Sequence, residues 1–199
     1  MKRLQVFREM RRAYAEQRLG DLAVLKLEIV DFKLHARAQK AVDGKTFSLE
    51  NYDLNALDAC PKGSLGKTYA EHMRRYGLKP FDISPAYQDL ARQHAQGVRY
   101  IKTHDLFHVL TGFDTSLAGE IGVLYFTAAQ KMYHFQIIAA VLAMILYPIV
   151  APHKMRSIIQ SARKGWRMGK QAKHLLGIEF ERHWNTPIDA VRTMAHLVV

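Results

Sequence analysis

Cysteine is almost absent from the sequence, with Cys60 the only one among 199 residues. A single thiol cannot form a disulfide within the chain, and such low usage is typical of a reducing compartment. Because Cys60 precedes Pro61 at an expected helix end, we interpret it as a thiol without a functional role. A disulfide-stabilised fold is excluded.

Long apolar runs are also lacking. The longest, Ile137–Val150, is shorter than the roughly 20 residues that a spanning helix needs. The basic N-terminus is not followed by an apolar segment, which argues against a secretory signal. We therefore expect a cytoplasmic protein that is peripheral on the inner membrane face, with Ile137–Val150 as a buried or membrane-grazing helix.

Acidic residues are scarce: 18 Asp and Glu stand against 29 Lys and Arg, and the net charge is +11. This balance favours an anionic partner, such as nucleic acid, an acidic membrane surface or a phosphorylated ligand. No RNP, KH or zinc-finger pattern occurs, so we expect no nucleic-acid partner. The segment Gly66-Lys67-Thr68 is not a P-loop, because Pro61 stands where that motif needs glycine.

Regular strand patterns are rare as well, and helix-length periodic runs dominate the chain. Helices are expected at about 2–18, 22–32, 68–76, 85–97, 99–111, 116–147, 153–176 and 187–197, with a short helix capped by Ser48 that ends at Ala59 and a loop at 39–46. We found no internal repeat or domain linker. The prediction is an all-α, single-domain multi-helix bundle with antiparallel helix pairs, covering 1–199.

The most informative segment places His104, Asp105 and His108 on one predicted helix and Glu120 on the next. Residues four apart share a helix face, so the two imidazoles can point to one place, with Asp105 at its edge. A short connection after Gly112 brings Glu120 back towards them. The pattern predicts one divalent metal ion, such as zinc, iron, manganese or magnesium.

A simpler interpretation of these residues remains open, and one motif is rejected. A histidine pair at this spacing is often a surface or core feature without a metal. The HExxH protease motif does not apply, because Asp105 stands where that motif has its glutamate. The other histidines, including His134, His153 and His174, are expected to be surface or core residues.

The segment from His104 to Gly112, together with Glu120, resembles the HDxxH…E motif of the ubiquinone biosynthesis protein 4 family. Two further segments, Pro61–Tyr69 and Phe180–Trp184, are similar to that family in the same order. The resemblance spans roughly 60–192. It implies an all-α fold, a divalent metal at the four residues of the motif, and a role in coenzyme Q assembly.

The resemblance further implies a prenylated quinone precursor or isoprenoid lipid as ligand. It implies association with membranes and with other quinone-biosynthesis proteins, and we expect a homodimer. The family is credited with oxidative decarboxylation at C1 of a polyprenylated hydroxybenzoate and with a scaffold role. Two functions therefore remain open: a metal-dependent enzyme, or a non-catalytic lipid carrier or scaffold.

Two further surfaces are candidates for ligand binding. The apolar helix is either an ordinary buried helix or one wall of a slot for a prenyl chain. A basic stripe near 163–174, to which His174 also belongs by spacing, is either a solvated face or a site for acidic lipid or an anionic head group. The predicted lipid contacts are Ile137, Val141, Met144 and Ile145, and the predicted head-group contacts are Arg163, Arg167 and Lys170.

Overall fold

The fold is a single all-α domain. The computed structural model describes residues 3–30 and 32–199, so Lys2 and Asp31, which fall in predicted helices, lie outside the described residues. The helices are α1 Arg3–Ala15, α2 Leu19–Val30, α3 Ala36–Val42, α4 Leu54–Asp58, α5 Leu65–Arg75, α6 Gln88–Gln93, α7 Ala95–Thr111, α8 Leu117–Gln130, α9 Gln136–Val150, α10 Met155–Gln171 and α11 Ile188–Met194. Within the described ranges there is no β-strand, which confirms the predicted fold class.

The first half of the chain departs from prediction in two places. The segment expected as a loop at 39–46 contains most of α3. The short helix after it is α4, which is capped by Asp53 rather than Ser48: the Asp53 carboxylate accepts from the backbone N–H groups of Asn55 and Ala56. Serine and aspartate are both favoured as N-cap residues, so N-cap propensity alone could not distinguish Ser48 from Asp53, five residues later.

The helix α5 is anchored to the C-terminal part of the chain. Ser64 caps it by accepting from the Lys67 N–H. The Leu65 N–H donates to Thr186 O at 2.9 Å, and the Gly66 N–H donates to Trp184 O at 2.8 Å. The two outer segments of the family resemblance, far apart in sequence, are therefore in contact.

A single helix was expected over 116–147, and the structure shows two. The helix α8 ends where Lys131 adopts a left-handed conformation with φ of 54°. In the turn that follows, the buried Gln136 side chain accepts from the Met132 and Tyr133 N–H groups at 3.1 and 3.2 Å. Its amide also donates to the Tyr100 hydroxyl at 3.1 Å, which ties the turn to α7. The prediction was wrong because no glycine or proline marks this break.

The helices α8 and α10 pack with their backbones in close approach. A Cβ at Gly165 would overlap the Gly122 carbonyl oxygen, and a Cβ at Gly169 would overlap that of Phe126. The spacing of Gly165 and Gly169 places both on one face of α10. This packing holds α8, and thus Glu120, in a defined position.

The core lies where α5, α7 and α8 meet the C-terminal segments. Fully buried side chains include Tyr69 from α5, Phe107 and Leu110 from α7, and Phe126 from α8. The Phe107 and Phe126 ring centroids are 6.4 Å apart. These large apolar residues fix α7, which carries both histidines of the motif.

The first half of α7 buries two cations. Arg99 donates to Glu181 Oε1 at 2.6 Å and also to the Ile178 carbonyl. Tyr52 donates to the same Glu181 oxygen at 2.7 Å. Lys102 donates to the Ser48 carbonyl at 2.9 Å, and burial lowers its pKa to about 8. This network ties α7 to the loops around it.

Glu181→Gln is expected to lower the free energy of unfolding by about 2 kcal/mol at pH 7, because it leaves Arg99 buried beside a neutral amide. Burial raises the pKa of Glu181, but Arg99 and Tyr52 outweigh burial, so the pKa lies below its ordinary value. A carboxyl group with a lowered pKa stabilises the fold above its unfolded pKa and loses that contribution as the pH falls through the folded pKa.

Urea unfolding at pH 7 and at pH 3 measures this difference. The gap between Glu181→Gln and the wild type should narrow at pH 3. The ion pair in which the exposed Arg182 donates to the half-exposed Glu179 offers a control, and Glu179→Gln should change stability by less than about 0.5 kcal/mol. Equal losses from both substitutions would contradict the role given to Glu181.

The helix α9 is not buried, which corrects one of the two predictions for it. Only Gln136 and Ala140 are buried in it. Met144 and Tyr147 are half-buried, and eight other large apolar side chains are exposed: Ile137, Ile138, Val141, Leu142, Ile145, Leu146, Ile149 and Val150. Among the described helices, none alone is long and apolar enough to span a bilayer. One pair of consecutive helices, bent by 117°, has the required length and hydropathy only when the two are taken together: Gln136–Val150 and Pro152–Gln171.

Candidate metal centre

The connection between α7 and α8 brings the motif residues together. Gly112 ends α7 in a left-handed conformation with φ of 73°, and its N–H donates to the His108 carbonyl. Ser116 then caps α8 by accepting from the Gly119 N–H at 3.2 Å. The carboxylate of Asp114 accepts from both the backbone and the hydroxyl of Ser116. The short connection expected after Gly112 is therefore confirmed, and Ser116 is the residue that caps the next helix.

Close approach of the chain requires glycine on both sides of Glu120. A Cβ at Gly119 would overlap the Asp114 carbonyl oxygen. A Cβ at Gly122 would lie 2.5 Å from the Phe113 ring. The connection can therefore fold tightly against the first turn of α8, which returns Glu120 to the histidines.

Three of the four predicted ligands meet at one point. One nitrogen of His104, one of His108 and one carboxylate oxygen of Glu120 all lie within 4.8 Å of one another. The distance from His108 Nε2 to Glu120 Oε1 is 3.4 Å, and that from His104 Nε2 to Glu120 Oε2 is 3.8 Å. Two donors held about 2.1 Å from one ion lie about 3.0–3.4 Å apart, so the residues fit a divalent ion with small adjustments.

His108 is oriented for such a role. It is almost completely buried, with 1% of its side chain exposed. Its Nδ1 pairs with the Phe113 carbonyl at 3.1 Å, so that Nδ1 carries the proton and Nε2 is left with a lone pair. His108 Nε2 is buried and makes no hydrogen bond within the described residues. Its nearest partner is the Glu120 carboxylate, with Oε1 at 3.4 Å, and an ion between them would satisfy both groups.

Asp105 lies beside this group and not within it. Its Oδ1 is 3.7 Å from Nδ1 of His104, the ring nitrogen on the far side from Glu120. A carboxylate at that nitrogen orients the ring and strengthens it as a donor. Such a contact suits an outer partner of His104 better than a direct ligand.

A third imidazole, that of His72, stands next to the pair. Its ring stacks on that of His108 with centroids 5.9 Å apart. Burial lowers the pKa of His72, and His108 adds to this effect while the carboxylates of Asp105 and Glu120 oppose it. No pattern in the sequence pointed to this residue, because His72 lies on α5, a different helix from the one that carries the histidine pair.

The carboxylate of Glu120 is expected to control the protonation of His108 in the metal-free protein. Burial lowers the pKa of His108, but Glu120 and the Phe113 carbonyl outweigh it and raise the pKa above its ordinary value. Glu120→Gln should therefore shift the imidazole titration to lower pH, measured by NMR of the ring protons. Asp89→Asn, at a carboxylate that is 89% exposed on α6, is the control and should leave the titration unchanged. A shift upward with Glu120→Gln would contradict this electrostatic assignment.

A family model described as "Coenzyme Q (ubiquinone) biosynthesis protein Coq4" matches residues 32–198. The chain belongs to the Coq4 family. This match covers most of the sequence and includes all of the helices that carry the candidate site. The resemblance noted from the motif is thereby confirmed at the level of the family.

Several curated Coq4 relatives carry the name ubiquinone biosynthesis protein COQ4 homolog, mitochondrial. The Nematostella vectensis protein is 32% identical over 150 residues, which cover 73% of this chain and 71% of that protein. The Danio rerio protein is 29% identical, covering 80% of this chain and 61% of that protein, and the Rattus norvegicus protein is 28% identical, covering 78% and 58%. The chain therefore spans about six tenths of the zebrafish and rat proteins.

A solved structure shares the fold of this Coq4 chain. A putative ubiquinone biosynthesis protein from Nostoc punctiforme superposes with a TM-score of 0.65 at 20% sequence identity. The match covers 98% of this chain and 96% of that one. It supports the architecture, which agrees with the all-α prediction.

Two cavities flank the metal centre of this Coq4 chain. One, of about 220 Å³, is lined by His104 and Glu120 and otherwise by Tyr100, Ile121, Val123, Leu124 and Tyr147. The other, of about 380 Å³, lies on the His108 side and is mostly polar, with His72, Arg75 and Asp114 in its wall. The centre thus opens to an apolar space on one side and a polar space on the other.

The predicted lipid contacts are distributed over two faces of α9. Ile137, Val141 and Ile145 are exposed to the outside. Met144 instead lines a cavity of about 300 Å³ with Tyr125 and Trp166. These residues therefore do not enclose an interior slot, and the helix offers a groove against α8 and an open apolar face.

The predicted head-group cations do not form one site. Arg163 lines the cavity with Met144, whereas Arg167 lines another of about 480 Å³ near the C-terminus. The Lys170 ammonium lies over the Trp166 ring at 5.4 Å. His174 is not part of the stripe, because α10 ends at Gln171 and both ring nitrogens of His174 are buried without a hydrogen bond.

Proposed function

We propose that this Coq4 chain is a metal-dependent protein of quinone biosynthesis that binds the polar head of a prenylated aromatic ligand at its metal centre. The observation that carries this proposal is the cavity of about 220 Å³, in which His104 and Glu120 share walls with apolar side chains. A ligand with a polar head and an apolar tail matches such a surface. The polar end would lie at the ion and the tail along Leu124 and Tyr147.

The ion would be held by His104, His108 and Glu120, with Asp105 orienting His104. Zinc or non-haem iron suits two imidazoles and a carboxylate; such an ion supplies a Lewis acid, and iron can also take part in oxygen chemistry. The side chains of His104 and Glu120 are 34% and 44% exposed, so a ligand can approach the centre from the cavity. An accessible site of this kind supports an enzyme more than a purely structural ion.

The reaction that we propose is oxidative removal of the C1 carboxylate from a polyprenylated hydroxybenzoate. Protein loaded with Fe²⁺ and supplied with oxygen should release the labelled carboxyl carbon of a prenylated hydroxybenzoate as carbon dioxide, and the Glu120→Ala variant should not. Tight binding of the same compound without turnover, with any ion tested, would favour the alternative function of a lipid carrier or scaffold. Other quinone-biosynthesis proteins are the proposed partners in either case.

We also propose that the exposed face of α9 contacts an acidic membrane surface on the inner, cytoplasmic side. A contiguous apolar patch of this extent is typical of an interaction surface. The helix carries no charged residue, and Arg8 and Arg11 on α1 lie beside the exposed Leu4 and Phe7, as in peripheral helices that bind anionic lipid. The expected homodimer is the other way of covering this face.

Ile145→Glu places a charge on this face and should reduce sedimentation with vesicles that contain anionic lipid. Ile145 and Leu19 are 63% and 62% exposed, so Leu19→Glu on α2 is a matched control that should leave binding unchanged. If Ile145→Glu converts a dimer to a monomer without altering vesicle binding, the face is a subunit interface. Equal effects of both substitutions would remove α9 as the docking surface.

A further inference from the structure

His72 occupies the last turn of α5, where no motif predicted a role for it. On the same helix Tyr69 and Met73 point into the core, and His72 faces α7. Its ring lies between those of His108 and Tyr76, whose centroids are 5.9 and 4.9 Å from it. The imidazole is thus held against a residue of the metal centre.

The free nitrogens of the two stacked rings share one property. Nε2 of His72 and Nε2 of His108 are both buried, and neither makes a hydrogen bond within the described residues. A buried nitrogen without a hydrogen bond costs about 1–3 kcal/mol. Because Glu120 Oε1 lies 3.4 Å from Nε2 of His108, the nitrogen of His72 is the one that most needs an explanation. A cation that both nitrogens reach would satisfy both.

The distance between the ring centres is short enough for a shared ion, although the two rings are inclined by only 26°, so the His72 ring would have to rotate to point its Nε2 at the ion. A ligating imidazole has its ring centre about 3.2 Å from the ion, given a metal–nitrogen bond of about 2.1 Å. Two such centres are therefore at most about 6.4 Å apart. The His104–His108 and His72–His108 centroid distances, 5.0 and 5.9 Å, both lie within that limit.

We propose that His72 is a third imidazole ligand of the ion, bound through Nε2. The inference rests on the proposed metal centre and adds a residue to it. His72 is not among the three residues whose donors already lie within 4.8 Å of one another, so its ring would move inwards when the ion binds. Binding would also draw α5 towards α7.

A set of three imidazoles and one carboxylate has a chemical consequence. Nitrogen-rich sites favour zinc, iron or cobalt, whereas magnesium prefers oxygen ligands and keeps several waters. Magnesium is therefore disfavoured as the resident ion. An ion held by these four residues could still accept a further ligand from either flanking cavity.

Co²⁺ tests the proposal, because a paramagnetic ion shifts the ring N–H resonance of each ligating histidine away from all others. Wild-type protein carrying one Co²⁺ should show three such resonances, and His72→Phe should show two. The Co²⁺ dissociation constant should rise by about 100-fold or more, beyond the 10- to 100-fold typical of outer partners. His72→Gln should behave in the same way, and the exposed His153→Gln is the control that should match the wild type.

Two resonances in the wild type would overturn the proposal, and this result does not depend on whether a variant folds. The proposal would also be overturned if His72→Phe and His72→Gln, shown by circular dichroism to be folded, bound Co²⁺ as tightly as the wild type. If His108→Ala abolishes Co²⁺ binding in the same series, the metal centre stands without His72. If the wild type binds no Co²⁺, the proposed function falls as well.

Discussion

His108→Ala is expected to reduce the divalent metal content of the purified protein from about one ion per chain to nearly none. His108 is the most buried of the candidate ligands, and the Phe113 carbonyl fixes its orientation, so the substitution removes a donor that is already in position. Losing a direct ligand should cost more than the roughly 10- to 100-fold in affinity that an outer partner costs. Inductively coupled plasma mass spectrometry on protein passed over a desalting column measures the content.

Two further variants sharpen this experiment. Glu120→Ala should have the same effect, because it removes the only carboxylate within the group of three. His153→Ala changes an exposed histidine after α9 and should retain the wild-type content. If His108→Ala and Glu120→Ala both keep one ion per chain, the metal lies elsewhere.

Gly165→Ala is expected to lower the free energy of unfolding by more than about 3 kcal/mol. The added methyl group would overlap the Gly122 carbonyl oxygen, which is backbone and cannot move aside without displacing α8. For a domain of this size the thermal midpoint should fall by at least about 6 °C. Differential scanning calorimetry of the metal-free proteins measures both quantities.

The same substitution should also disturb the candidate metal centre, because it displaces α8, which carries Glu120. We expect Gly165→Ala to weaken Co²⁺ binding as well, although position 165 contacts no ligand. Gln160→Ala, on an exposed position of α10, is the control and should change neither quantity appreciably. Unchanged stability in Gly165→Ala would show that α8 and α10 do not pack as closely as described.

The sequence predicted which candidate ligands come together because that information is local. His104 and His108 are four residues apart on one helix, and Gly112 and Ser116 mark the end of α7 and the beginning of α8. Three of the four expected ligands meet as a result. Asp105 lies to one side because a residue adjacent to His104 is rotated by about 100° around the helix axis.

What the sequence did not predict depends on tertiary contacts. The break at Lys131 arises because the Gln136 side chain replaces backbone partners in the turn, and this has no signature in propensity. The exposure of α9 could not be inferred from its composition, since a buried helix and a membrane-facing one have the same apolar character. His72 comes to the centre only through packing of α5 against α7.

The most direct measurement of the central claim is a crystal structure of the protein grown with Zn²⁺ and recorded at the zinc absorption edge. The proposed centre predicts one strong anomalous peak per chain, about 2.0–2.2 Å from His104 Nε2, His108 Nε2 and a Glu120 oxygen. The absence of a peak among these side chains, with zinc bound elsewhere or nowhere, would contradict the account.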